Sequence, residues 1–150
     1  MRYLGLDLGT KTLGLAISDK LGTIASPYKV LRYTDINLLI KELILIIEKE
    51  HIDELVLGLP KNMNGSLGFA AERSMNFKEL LESKIEIPIH LVDERLSTME
   101  AEKLLINADV RREKRKKIID GMAASIILDT YLNRKGWLYE RRKKGYIYYC

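Results

Sequence analysis

Residues 4–19 read LGLDLGTKTLGLAISD, and no other stretch constrains the fold as tightly. Apolar and small residues alternate on both sides of Gly9-Thr10-Lys11, with the period of two that belongs to strands. Two such runs joined by a short glycine turn make a β-hairpin. Asp7 sits near the end of the first run. Withdrawing a carboxylate from water is costly unless a cation or several donors meet it. The stretch therefore fixes an antiparallel pair and poses a question about what the carboxylate at its turn is for. The simplest answer is an Asx-turn, with Asp7 accepting from the N–H groups of Gly9 and Thr10.

The remaining pattern extends the sheet. Residues 24–31 read as a third strand, with Pro27 marking an edge or a bulge. Thr34-Asp35 offers an N-cap for an amphipathic helix over 36–49. Residues 54–59 form the continuous apolar run of a buried parallel strand, ended by Pro60 and a turn-rich loop. A helix over about 70–81, a strand over 87–92, a helix capped by Ser97 and Glu100 and a last helix over 118–132 follow. A meander of three strands followed by βαβ units predicts an α/β protein. Its mixed five-stranded sheet, three antiparallel strands then two parallel, would carry helices on both faces. Residues 1–135 make one domain, and 136–150 read as a basic, aromatic appendage in which Trp137, Tyr139, Tyr146, Tyr148 and Tyr149 interleave with cations. Such a segment can stack bases or pack as an extra strand or a dimer contact.

Two further acidic sites stand where Asp7 does, at element ends. Asp93-Glu94 follows an apolar strand directly, and Asp120 lies near the start of the last helix, in IIDGMAASII. Taken singly, Asp93-Glu94 can pair with Arg95, and Asp120 can be a helix N-terminal charge. Gathered at one sheet edge, the three offer hard oxygen ligands suited to Mg²⁺ or Mn²⁺. The small residues Gly121, Ala123 and Ala124 would let that helix approach the sheet. Two histidines and one cysteine make a zinc site a poor alternative.

Charge is segregated. The total is +4, yet 111–117 and 134–144 each carry +5, so the rest of the chain is acidic by six charges. Basic clusters beside an acidic body suit a phosphate backbone. With the single cysteine at the C-terminus and no apolar run long enough for a bilayer, the expected location is the cytoplasm, away from membranes.

Four segments in this order, DLGTKTLGLAISD, GLPKNMNGS, VDERLST and IIDGMAASIILDTYL, resemble the YqgF (RuvX-like) family of Holliday-junction resolvases, also described as pre-16S rRNA nucleases. The resemblance covers residues 1 to about 134. It implies an RNase H-like fold and a metal-dependent endonuclease. It implies a two-metal site with Mg²⁺ or Mn²⁺ held by Asp7, Glu94 and Asp120, Asp93 remaining the alternative to Glu94. It further implies nucleic-acid contacts from Lys11, Arg95 and Thr98. The basic residues Arg111, Arg112, Lys114, Arg115, Lys116 and Lys117 would guide the polyanion. Thr12 departs from the basic residue many relatives carry there. The expected substrate is structured RNA, the 5′ end of pre-16S rRNA; the alternative is branched DNA, for which a homodimer would supply the two active sites a resolvase needs. A DxGT-type ATPase and a non-catalytic nucleic-acid-binding module are the rival readings. The first normally closes two such domains over its nucleotide, and the second would not need all three acids.

Overall fold

The computed structural model describes residues 1–62 and 64–143, with the side chains of 95–101, 119–121 and 135–143 outside that description. Five strands, β1 (Tyr3–Leu8), β2 (Thr12–Ser18), β3 (Ala25–Arg32), β4 (Glu54–Leu59) and β5 (Ile89–Asp93), form one sheet in the order β3-β2-β1-β4-β5. β1 and β2 pair antiparallel, as do β2 and β3, whereas β1–β4 and β4–β5 are parallel. The expected mixed sheet is therefore present. Pro27 lies on the edge strand β3, beside a register shift at Leu15/Ala16. There a residue without an N–H disturbs the ladder least.

Helices cover both faces. Strand alternation sends Leu4, Leu6 and Leu8 into one core with Leu39, Ile40 and Leu43 of α1 (Ile36–Lys49) and Phe77 and Leu81 of α2 (Phe69–Glu82). Asp35 caps α1 by accepting from the Asn37 N–H at 2.9 Å. The opposite core joins Tyr3, Ala16, Val56 and Val92 to Ala124, Ile127, Leu128 and Leu132 of α4 (Arg112–Lys143). The sheet face beneath α4 is stripped of bulk. A Cβ at Gly5 would stand 2.8 Å from the Leu128 Cβ and 2.9 Å from the Ala124 carbonyl oxygen, so glycine there permits close contact.

Three boundaries differ from the sequence pattern. α3 (Glu94–Asn107) starts at the residue after β5, ahead of the Ser97 cap position. β5 begins at Ile89, two residues later than the apolar run suggests. α4 begins at Arg112 and passes Gly136 without a break, so the first basic cluster is helix and the start of the expected appendage continues it. The N-terminal extension, REKRKK, carries no apolar residue and so no periodicity that would mark it as helix. Among the described residues no helix is long and apolar enough to cross a membrane.

Candidate active site

Asp7 occupies the penultimate position of β1, the middle strand of the sheet, and pairs with Gly14 across the hairpin. Tyr3 and Gly5 of the same strand meet α4, and two-residue alternation puts Asp7 on that face too. The turn behind it is braced by a residue that sequence patterning did not single out. The Tyr33 hydroxyl donates to the Gly9 carbonyl at 2.5 Å, and its N–H donates to the Lys11 carbonyl at 2.9 Å. With Gly9 N–H bonded to the Thr12 carbonyl, the loop holds exposed Lys11 at the end of β1.

The two acids of the second site separate. His90 stacks on Tyr131 of α4 and Val92 lies in the α4-side core, so alternation turns Asp93 to the other face. Glu94, first residue of α3, returns to the α4 side. Gly58 of β4 lies beneath it: the position of a Cβ at Gly58 would fall against Glu94 and Ile127. There Glu94 meets Asp7. Burial first, then the Asp7 charge, a hydrogen bond with the Asp7 carboxylate, and the Asp93 charge push the Glu94 carboxyl up to about 8. Burial and the neighbouring carboxylate charges thus favour the protonated form of Glu94. A cation beside two close carboxylates would relieve the same repulsion.

Asp120 belongs to α4, one turn before Ala124. The Ala124 Cβ lies 3.8 Å from where a Cβ of Gly14 would be, and Gly14 is the partner of Asp7. Leu128 lies over Gly5, so α4 runs toward the carboxyl end of β1 as its residue numbers fall, which carries position 120 to the Asp7 end of the strand. The side chain of Asp120 lies outside the described residues, as do those of Arg95 and Thr98. Among the described residues no three acid or histidine side chains gather as a ligand group. The donor set of Asp7 and Glu94, all carboxylate oxygen, fits Mg²⁺ or Mn²⁺.

The basic cluster is not uniform. Arg111, Arg112, Lys114, Lys116 and Lys117 are exposed, but Arg115 is half-buried and donates from Nη1 to the Val110 carbonyl at 2.9 Å. It ties the first turns of α4 to the bend after α3, where Asp109 adopts φ 57°.

This sheet order, with an acid at the end of its middle strand facing a second acid, defines an RNase H-like protein. The family follows from sequence. The model of the RuvX family, described as Holliday junction resolvase, matches residues 1–134, and the chain belongs to that family of nucleases. A relative from Geobacillus sp. (strain WCH70), named "Putative pre-16S rRNA nuclease", is 52% identical over 137 residues, covering 90% of this chain and 99% of its own. One of the same name from Bacillus subtilis (strain 168) is 50% identical over 135 residues, covering 89% and 98%. In fold the chain is similar to Thermus thermophilus RuvC solved with a Holliday junction substrate. The TM-score is 0.57 at 11% identity, across 90% of this chain and 95% of that one. Membership of a nuclease family removes the ATPase reading.

Proposed function

We propose that the chain is a metal-dependent endonuclease that hydrolyses phosphodiester bonds in structured nucleic acid, and that its substrate is the 5′ end of pre-16S rRNA. The observation that carries this is the contact of Asp7 with Glu94 at the carboxyl edge of the sheet, where burial and then the Asp7 charge push the Glu94 carboxyl up. The names of relatives about half identical over nearly the whole family region point to the rRNA precursor. The reaction would take place in the cytoplasm.

Asp7, Glu94 and Asp120 would hold Mg²⁺ or Mn²⁺, which when bound supplies an activated water and neutralises charge on the leaving oxygen. The chain's own residues prepare the site. Glu94 gives up its proton, so the pair passes from one negative charge to two and matches a dication. Burial of Glu94 keeps the carboxylates in a medium where that charge is strongly felt. Lys11 on the β1–β2 turn and the exposed cations at 111–117 bind phosphates and orient the strand over the acids. Small residues beneath α4 bring position 120 to the sheet edge.

A second reading, cleavage of branched DNA, rests on the family's description and on the RuvC-like fold. The deciding experiment offers a 5′-extended small-subunit rRNA precursor and a four-way DNA junction side by side, with Mg²⁺ or Mn²⁺ and then with EDTA. Cleavage of the RNA, stopped by EDTA and lowered about 10²–10³-fold by Asp7→Asn, is the expected result. Preference for the junction transfers the activity to DNA, and a fully active Asp7→Asn protein removes the assigned site.

A further inference from the structure

Gly58 is the fifth residue of β4, paired with Val92 of β5. A Cβ built there would stand 2.3 Å from Oε1 of Glu94, 2.9 Å from its Cγ and 2.5 Å from Cδ1 of Ile127. These are separations that real Cβ atoms essentially never show below 3.0 Å. All three nearest atoms belong to side chains, so an added methyl group would move side chains before strands. Backbone conformation does not require glycine, because Gly58 is not among the positive-φ residues. The nearest atoms to a Cβ at Gly5, on the same face, belong to Leu128, Ala124 and Ala16, which makes it a packing glycine. Gly58 differs in that its nearest neighbour is an active-site carboxylate oxygen.

We propose that Gly58 is a positioning residue of this site: the space left by its missing side chain seats the Glu94 carboxylate against Asp7, and filling that space moves the carboxylate and weakens capture of a divalent cation. The inference rests on reading Asp7 and Glu94 as ion ligands. A purely structural role is the rival, since the same methyl group would strike Ile127 and loosen the core under α4.

The two roles separate in an Ile127→Val background, which lacks the Cδ1 atom that Gly58→Ala would meet. Mn²⁺ affinity of the free protein is measured by calorimetry, alongside thermal unfolding and cleavage of the rRNA precursor. In that background Gly58→Ala should leave the melting temperature near that of Ile127→Val. It should weaken Mn²⁺ binding about 10–100-fold, the usual effect of disturbing a residue that orients a ligand, and lower kcat with KM for RNA unchanged. Adding Glu94→Asp should cost little more than Glu94→Asp alone, because the shortened side chain no longer fills the seat. Mn²⁺ affinity equal to that of Ile127→Val, or losses from Gly58→Ala and Glu94→Asp that simply multiply, would overturn the proposal. Failure of the unsubstituted protein to bind Mn²⁺ would instead overturn the reading on which it rests.

Discussion

A single side chain, Glu94, shows how the site is built. Strand alternation ends at Asp93, and the next residue starts a helix, so neighbouring acids point to opposite faces of the sheet. That is why the pair Asp93-Glu94 stood out in the sequence as one acidic site, with Asp93 left as the alternative to Glu94. The choice depends on where the strand stops, and an apolar run does not fix that to one residue. Asp7 was legible because a carboxylate in a strongly alternating strand is anomalous. Gly58 and Tyr33 were not, because a glycine in a strand and a tyrosine after one carry no signal until the acid or the turn they serve is placed. The raised Glu94 group has a measurable consequence. Since its carboxyl titrates near 8 when folded and near 4.5 when free, the folded metal-free protein binds the extra proton between those values. Its stability is therefore highest below about pH 4.5 from this group and declines as pH rises toward 8. Thermal unfolding in EDTA should show that decline, and Glu94→Gln should flatten it. An unchanged slope in Glu94→Gln would assign the proton to another group.

At the scale of elements, the first two turns of α4 place their cations in two settings. Sequence composition marked 111–117 as one basic cluster, and it could not distinguish a strut from a contact because Arg115 differs only in what surrounds it. Exposed Lys116 and Lys117 face solvent, whereas Arg115 holds the Val110 carbonyl. Replacing both Lys116 and Lys117 with alanine should leave the melting temperature unchanged. It should lower the slope of log affinity against log salt by about 2 for the RNA precursor in fluorescence anisotropy. Arg115→Ala should instead destabilise by about 1 kcal/mol, the worth of a hydrogen bond, with little change in the salt slope. Equal effects from the two variants would remove the division of labour. The helix boundary itself was hidden because a run of cations is polar on every side and leaves periodicity nothing to count.

Across the whole molecule, the mixed character of the sheet, three antiparallel strands then two parallel, was the most legible property. A hairpin, an edge strand with proline and two buried parallel strands admit few arrangements, and the observed sheet is the one that keeps connections short. Among the described side chains the last buried one of α4 is Leu132, and the family match stops at residue 134. A chain ending at Lys135 should unfold within about 2 °C of the full chain, less than 1 kcal/mol shifts a domain of this size. A larger loss would make the C-terminal extension part of the fold. The central contact is the meeting of Asp7 and Glu94, one from the first strand and one from the helix after the last strand. Calorimetric titration of Mn²⁺ into the metal-free protein at pH 7, repeated in buffers of different ionisation enthalpy, tests it directly. Binding should release about one proton, supplied by Glu94, and both the heat and the proton should vanish in Asp7→Asn. Binding of undiminished affinity in Asp7→Asn, or binding with no proton released, would contradict the account.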